Sequence, residues 1–192
     1  MLQEYNSDRI KNVAIIGHLS TGKSTLLDSM LFAGGKINKI GTPETGLASD
    51  YDEEEKERKM SIRSAMGFVE MDGFKINIID TPGTADFVGE TRAAIQACEC
   101  AILIVDAVDG VQIETEKAWR YLSENNIPRM IFVNKMDKER ANYDKVIDDI
   151  KKRYNASLAA LTLPVGEGPE FKGVIDIIEM KMMTPKGDGK TV

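Results

Sequence analysis

The most restrictive feature of the sequence is the segment GHLSTGKS, Gly17 to Ser24, which directly follows the apolar run Val13 to Ile16. Two glycines separated by four residues and followed by Lys and Ser form a phosphate-binding loop, or P-loop, whose backbone N–H groups surround a phosphate chain. The apolar residues between Leu26 and Leu31 then recur at helical spacing, so the phosphates are expected at a helix N-terminus. This order of strand, loop and helix predicts an α/β fold.

Two further short motifs follow along the chain, DTPG from Asp80 to Gly83 and NKMD from Asn134 to Asp137. Lys23 of the P-loop is expected to reach the β- and γ-phosphates. The hydroxyl of Ser24 and, usually through water, the carboxylate of Asp80 are expected to hold Mg²⁺. Each motif follows an apolar run, as ligand-binding loops do at the carboxyl ends of parallel strands. The three motifs together predict one nucleotide site.

The identity of the base depends on the NKMD motif, because a P-loop alone also fits an ATPase or a small kinase. The Asp137 carboxylate can accept hydrogen bonds from the N1–H and N2–H₂ groups of guanine. Adenine has no donor at N1 and would leave a desolvated acceptor unpaired, which disfavours it by several kcal/mol. With Asn134 as the second residue that reads the base, the motif order predicts GTP and GDP as ligands.

Apolar runs predict five strands in a mostly parallel sheet with helices on both faces. The strands are predicted at Val13–Ile16, Met66–Met71, Phe74–Ile79, Ala101–Val105 and Arg129–Val133. The dipeptide Asp72-Gly73 between two of them is a type I′ hairpin signal. Helices are predicted after the P-loop and at Ile113–Glu124 and Tyr143–Tyr154. The fold class expected over residues 1–156 is therefore a three-layer α/β P-loop NTPase domain.

Residues 157–192 are expected to form a separate, smaller part. Leu158 to Val165 and Phe171 to Met183 are predicted as strands on either side of the loop Gly166 to Pro169. The last residues suggest a hairpin turn whose partner strand is missing, so we expect the chain to be a fragment of a longer protein.

Composition narrows the classes of partner. The net charge of −6 argues against direct DNA binding, which depends on basic side chains that neutralise phosphates. No run approaches the roughly 20 apolar residues of a membrane span, and the N-terminus lacks a basic-then-apolar signal pattern. We therefore expect a cytoplasmic protein without a membrane association. We also expect it to act as a monomer.

Several long segments resemble translation elongation factor G and its elongation-factor-G-like relatives. They are GHLSTGKST, SDYDEEEKERKMSI (Ser49 to Ile62), INIIDTPGTADFVGE (Ile76 to Glu90), IPRMIFVNKMDKERANY (Ile127 to Tyr143) and FKGVIDIIEMK (Phe171 to Lys181). The last segment resembles the start of the subdomain that this family inserts into its GTPase domain. The resemblance implies a GTPase that acts on the ribosome. Release factor 3 and the tetracycline-resistance ribosomal protection proteins share the first three motifs and remain alternatives.

The resemblance also implies a set of site residues. Nucleotide contacts are expected from the P-loop and the residue after it, namely Gly17, His18, Leu19, Ser20, Thr21, Gly22, Lys23, Ser24 and Thr25; from Asp80, Thr81, Pro82, Gly83 and Thr84; and from Asn134, Lys135, Met136 and Asp137. The acidic segment Ser49 to Ile62 corresponds to switch I, in which a family Thr gives its hydroxyl to Mg²⁺. Ser61 stands at that position, so Ser24, Ser61 and Asp80 are the expected metal residues. His18 matches a family histidine and is expected to be structural.

Two departures from the family pattern bear on catalysis. The family P-loop carries an aspartate that can help to bind a monovalent cation, and this chain has Ser20 and Thr21 there instead. After DTPG the family has a histidine that orients the attacking water, whereas this chain has Thr84. Two hypotheses follow. Either the protein is a GTPase that relies on Lys23 and on Thr84 or a partner group, or it is a GTP/GDP-binding switch with little hydrolysis.

Overall fold

The computed structural model describes residues 4–42, 45–49, 53–58 and 60–185. The chain divides into two compact units. The first comprises Met1–Ile104 and Ile113–Phe132, and the second comprises Val105–Gln112 and Val133–Val192. Positions 50–52 and 59 of the predicted switch I, and the predicted turn from position 186 onward, lie outside the described residues.

The first unit is built on a five-stranded sheet in the order β2-β3-β1-β4-β5. Its strands are β1 (Ile10–Gly17), β2 (Ala65–Met71), β3 (Phe74–Asp80), β4 (Cys100–Asp106) and β5 (Arg129–Asn134), of which the last residues of β4 and β5 belong to the second unit. β1 pairs in parallel with both β3 and β4, and β2 pairs antiparallel with β3. The predicted fold class, a mostly parallel α/β sheet of the P-loop type, is confirmed.

The predicted hairpin between β2 and β3 is also present. Asp72 and Gly73 have φ angles of 50° and 77°, and Met71 pairs with Phe74. Positive φ at both central residues is the requirement of a type I′ turn. This turn makes β2 the antiparallel edge strand of an otherwise parallel sheet.

Five helices accompany the strands of the described chain. They are α1 (Lys23–Ala33), α2 (Glu53–Arg58), α3 (Val88–Ala97), α4 (Ile113–Glu124) and α5 (Tyr143–Tyr154). The bounds of α4 and α5 agree with the prediction, whereas α2 and α3 had no predicted bounds. Their sequences are polar or small, so apolar periodicity alone does not define them.

Two hydrophobic clusters cover the opposite faces of the sheet. Ala14 and Ile16 of β1 belong to a cluster with the buried side chains of α3 and α4. Ile15, which lies between them, belongs to a second cluster with Leu27 and Leu31 of α1. Successive strand residues point to opposite faces, so a continuous apolar run requires cover on both. This arrangement is the three-layer architecture.

The second unit contains α5 and a separate sheet in the order β6-β7-β8. Its strands are β6 (Thr162–Val165), β7 (Gly173–Asp176) and β8 (Lys181–Met183). The prediction of one strand over Phe171–Met183 is wrong, because a turn separates β7 from β8. The Asp176 carboxylate accepts from the Ile178 and Glu179 amides at 2.8 and 3.0 Å and thereby ends β7.

The division into residues 1–156 and 157–192 remains a prediction. No helix among the described residues is long and apolar enough to span a membrane.

The packing of α4 gives a stability prediction. Leu122 is fully buried in the cluster with α3 and β1, whereas Ile113 on the same helix is 68% exposed. Leu122→Ala should lower the free energy of unfolding by about 2–5 kcal/mol, because it removes buried methyl groups and leaves a cavity. The matched variant Ile113→Ala should change it by less than about 0.5 kcal/mol. Urea unfolding followed by the fluorescence of Trp119, the single tryptophan, measures both. Equal effects of the two variants would contradict this assignment of the core.

Candidate functional site

The P-loop connects β1 to α1 through a backbone that only certain residues can adopt. Gly22 has a φ of 96° and directly precedes Lys23, the first residue of α1. A side chain at Gly17 would bring its Cβ within 2.7 Å of the Ile104 carbonyl oxygen. Both glycines of the motif are therefore required by local geometry, one for its dihedral angle and the other for close backbone packing.

The carbonyl oxygen of His18 is the centre of the hydrogen bonds within the loop. It accepts from the Thr21 hydroxyl at 2.9 Å and from the Lys23 ammonium at 2.8 Å. Ser20 lies between the donors and the acceptor with a φ of 60°. The loop thus curls around the Lys23 side chain.

Lys23 is buried in this loop, with only 6% of its surface exposed. Burial lowers the pKa of its ammonium from the ordinary value of 10.5 to about 8, although the Asp80 carboxylate acts in the opposite direction. A desolvated cation beside backbone N–H groups at a helix N-terminus is an arrangement that favours a phosphate.

The three predicted metal residues lie together in the first unit. The Ser24 hydroxyl donates to Asp80 Oδ2 at 2.5 Å and lies 3.2 Å from the Ser61 Oγ. Asp80 is 1% exposed. Two hydroxyls and one carboxylate are hard oxygen ligands, which suit Mg²⁺, an ion that keeps several waters and takes one or two carboxylates. No group of three His, Cys, Asp or Glu side chains forms a metal site in the described ranges.

The DTPG segment is held against both β1 and the P-loop. The amide and hydroxyl of Thr81 donate to the Ile15 carbonyl at 3.3 and 2.9 Å, and Thr81 is fully buried. At Gly83 an added Cβ would lie 2.7 Å from the Leu19 amide nitrogen and would also meet the Lys23 ammonium. Only glycine permits this approach, so the Gly83 backbone lies beside the residues that are expected to bind phosphate.

Thr84 follows at the position of the missing family histidine. Its hydroxyl oxygen is buried and has no hydrogen-bond partner among the residues that the structure describes. Thr84 lines a cavity of about 10 Å³, together with Gly17 and Gly83 and with Glu114 and Lys117 of α4. This volume is at the lower limit for one water molecule, and the Thr84 oxygen itself has almost no accessible surface.

The NKMD segment lies in the second unit and is held by a residue that the sequence analysis missed. The Lys135 ammonium contacts Asp106 Oδ2 at 2.7 Å, and Lys135 has a φ of 62°. Burial raises the pKa of Asp106, but the Lys135 bond and two backbone N–H bonds outweigh it, so the pKa lies below its ordinary value. Asp106 ends the apolar run of β4 as Asp80 ends that of β3, and this parallel is the signal that could have identified it.

Of the remaining residues of this motif, Asn134 and Met136 are held by backbone hydrogen bonds, whereas the side chain of Asp137 is exposed. Met136 is buried, and its carbonyl accepts from the Gly168 amide at 2.8 Å. The Asn134 carbonyl accepts from the Ala107 amide at 2.9 Å. Asp137 has a side chain that is 66% exposed, with the Lys138 ammonium 3.7 Å away. The carboxylate that is expected to read guanine is therefore accessible from solvent.

Comparison with known proteins agrees with this geometry. Residues 8–185 match the family described as the elongation factor Tu GTP binding domain. The chain belongs to this family. As a GTP-binding domain of the elongation factor Tu type, it is a guanine-nucleotide-binding domain of the GTPase class.

One similar solved structure is a crystal structure of a protein from Thermus thermophilus. It is 33% identical in sequence and superposes with a TM-score of 0.87 over 93% of this chain. This chain covers 27% of that chain. The similarity therefore extends over a part of the Thermus protein only.

The burial of Lys23 in this GTP-binding domain predicts a dependence of stability on pH. Because its pKa is about 8 in the folded chain and near 10.5 when free, the unfolded chain binds more protons between those values, and stability rises with pH across that window. Below about pH 8 the folded chain carries the full cost of a buried ammonium. Lys23→Met should therefore be more stable than the parent at pH 7 by about 1–3 kcal/mol. The His18 carbonyl keeps its Thr21 donors in this variant.

Urea unfolding at pH 7, 9 and 10, followed by Trp119 fluorescence, measures this difference, which should shrink as the pH rises. The exposed Lys11 of β1 supplies the control, because Lys11→Met should show no such trend. A pH-independent difference for Lys23→Met would argue against a depressed Lys23 pKa.

Proposed function

We propose that the chain is the GTPase domain of a translation factor of the elongation factor G type, which binds and hydrolyses GTP in the cytoplasm in contact with the ribosome. The observation that carries the proposal is the cluster of Ser24, Ser61 and Asp80 beside a buried Lys23, in a chain that belongs to a GTP-binding family. In this proposal the phosphates bind the P-loop, and the guanine base binds Asn134 and Asp137. The chain acts as a monomer without direct DNA or membrane contact.

Each polar group of the site has a defined task in this proposal. Lys23 neutralises charge on the β- and γ-phosphates, and the N–H of Gly83 contacts the γ-phosphate. Ser24, Ser61 and, usually through water, Asp80 would hold Mg²⁺, which would supply neutralisation of phosphate charge. The remaining P-loop residues surround the phosphates with backbone N–H groups. Catalysis in this class is mainly positioning and charge stabilisation, so these groups supply most of it.

The segment FKGVIDIIEMK favours the elongation factor G type over release factor 3 and the ribosomal protection proteins. It resembles the start of the inserted subdomain and contributes Phe171 to the cluster that also contains Met136. The amide of Gly168, just before this segment, donates to the Met136 carbonyl. These contacts support a role of Gly168 and Phe171 in holding the base-reading segment.

The second candidate is a GTP/GDP-binding switch with little hydrolysis, and Thr84 is the observation that favours it. A water-positioning group must accept from the nucleophile while the water stays in line with the γ-phosphate. Thr is short and β-branched, so its hydroxyl reaches less far than imidazole and its χ1 is restricted. The enzyme is favoured instead by the retained phosphate and metal residues, among them Lys23, Ser24 and Asp80, and by the ability of a threonine hydroxyl to hydrogen-bond a water.

The base preference gives the first test of the proposed function. Asp137→Asn should weaken GTP binding by a few kcal/mol and improve binding of xanthosine triphosphate, whose C2 oxygen needs a donor. Competition against a fluorescent guanine nucleotide measures both. The exposed Asp148 of α5 provides the control, since Asp148→Asn should leave the preference unchanged. If Asp137→Asn bound GTP as well as the parent, the assignment of NKMD to guanine would be wrong.

The residue after DTPG gives the second test. Intrinsic turnover should be roughly 10⁻³ s⁻¹ or below, near the rate of an unassisted small GTPase. In the full-length protein with ribosomes, Thr84→His should raise turnover at least about tenfold, which is about 1.4 kcal/mol of barrier, if water positioning is limiting. Multiple-turnover GTP hydrolysis with and without ribosomes measures it.

The variant Thr84→Val separates the two candidate functions, because it keeps the shape and removes the hydroxyl. A rate that falls in Thr84→Val and does not rise in Thr84→His would assign the water to Thr84 itself and would remove the main support for a slow switch.

A further inference from the structure

Three consecutive backbone amides, at the last residue of the predicted switch I and the two residues after it, are bound by two carboxylates. The amides of Ile62 and Arg63 both donate to Glu55 Oε1, at 2.8 and 3.1 Å. The next amide, Ser64, donates to Glu90 Oε2 at 2.9 Å. All of these residues belong to the first unit. Three amides in a row, outside any helix or strand, are thus fixed by side chains from elsewhere in the chain.

Glu55 is unusually buried for a glutamate. It is only 3% exposed, although it belongs to the short polar helix α2. Burial of a carboxylate is costly unless hydrogen bonds compensate for the lost water. The two amides provide charge-assisted bonds, the stronger class of hydrogen bond. The Glu55 main chain takes part as well, since its carbonyl accepts from the Met60 amide at 3.2 Å.

Glu90 brings in a second element. It lies in the first turn of α3, which follows the DTPG segment after the short turn Ala85–Phe87. The bond from Ser64 therefore joins the chain just after switch I to α3. We name Glu55 and Glu90 the carboxylate clamp.

The first of the three amides that the clamp binds, Ile62, directly follows Ser61. The Ser61 hydroxyl lies 3.2 Å from the Ser24 hydroxyl, which in turn donates to Asp80. Since the amide of Ile62 is part of the peptide that follows Ser61, fixing Ile62 and Arg63 restricts where the Ser61 side chain can lie. The oxygens of Ser24, Asp80 and Ser61 suit Mg²⁺, as described above. By restricting Ser61, the clamp would determine whether the third of these oxygens is in place.

We propose that Glu55 and Glu90 are positioning residues that hold Ser61 at the metal site and couple switch I to α3, the helix that follows the DTPG segment. This inference rests on the proposed function, since Mg²⁺ and GTP are its ligands. Neither carboxylate binds the metal or the nucleotide; both act through the backbone of residues 62–64. Removal of a partner that orients a metal ligand typically costs 10- to 100-fold in metal affinity.

The first measurement needs no nucleotide. Hydrogen exchange of the backbone amides should show Ile62 and Arg63 protected in the parent chain, with Glu55→Ala raising their exchange at least about tenfold through loss of two charge-assisted bonds. Both bonds end on one oxygen, Oε1, so Glu55→Gln keeps an acceptor there and should restore most of the protection. Glu57→Ala alters an exposed Glu on the same helix and should leave both amides unchanged.

The second measurement is the Mg²⁺ dependence of binding of a nonhydrolysable GTP analogue. Glu55→Ala should raise the half-saturating Mg²⁺ concentration at least about tenfold, while GDP affinity without Mg²⁺ stays at the parent value. Glu55→Gln should lie between the parent and Glu55→Ala, and Glu57→Ala should match the parent. A melting curve followed by Trp119 fluorescence checks whether Glu55→Ala folds. If it does not fold, Glu90→Ala replaces it, and exchange of the Ser64 amide is then measured.

The outcomes separate the two levels of proposal. If the parent binds no guanine nucleotide at any Mg²⁺ concentration, the proposed function fails. If the parent binds it and the clamp variants keep the parent's Mg²⁺ dependence, the positioning role is wrong. Faster exchange together with an unchanged Mg²⁺ dependence also overturns the inference, because the clamp would then be structural only.

Discussion

The parallel pairing of β1 with β3 is the constraint on which the rest of the first unit depends. Ile15 of β1 is in register with Asp80 at the end of β3. Because both strands run in the same direction, the P-loop and the DTPG segment leave the sheet at the same edge. The Thr81 bonds to Ile15 fix that arrangement, and the short bond between Ser24 and Asp80 follows from it. The cluster that is expected to bind phosphate and metal thus results from strand register rather than from proximity in sequence.

The site keeps groups that a fold optimised for stability alone would not keep. The P-loop contains the buried ammonium of Lys23, and β3 ends with the buried carboxylate of Asp80. Shortly after β3 lies the buried hydroxyl of Thr84, which has no hydrogen-bond partner among the residues that the structure describes. Each is costly to desolvate, and a stability optimum would replace them with apolar side chains of similar size. The proposed binding of a nucleotide and Mg²⁺ would account for their presence, because the same desolvation strengthens the electrostatic attraction of charged ligands.

In the second unit, as in the first, a carboxylate at the end of a buried strand binds a polar side chain of a sequence motif. Asp106 ends a buried strand and binds Lys135, so the lysine of the NKMD motif is tied to the protein and the carboxylate of Asp137 remains exposed. Met136 and Phe171 pack in one cluster, and the Gly168 amide bonds the Met136 carbonyl. The segment after α5 therefore stabilises the loop that is expected to read the base. This division of tasks explains why only part of the motif has to face solvent.

The sequence by itself determined the fold class, the positions of the central strands and of α4 and α5, and the hairpin at Asp72-Gly73. Each of these depends on a local pattern, namely an unbroken apolar run, a 3.6-residue period or a turn dipeptide. Local patterns did not reveal the true start of β1, which extends back to Ile10 because Ile10 to Asn12 pair with Lys75 to Asn77 of β3. They also did not reveal the break between β7 and β8, which a single Asp176 carboxylate causes.

Only the tertiary structure decided which polar groups meet. Asp106 and Lys135, Glu55 and the amides of Ile62 and Arg63, and Glu90 and Ser64 are brought together by the paths of separate elements. A carboxylate in a charged run looks the same in sequence whether it is solvated or buried on a backbone amide, and Glu55 among its acidic neighbours is the example. The physical reason is that hydrogen bonds need a donor and an acceptor within about 3 Å, and that distance is set by chain topology and packing, which composition and periodicity do not encode.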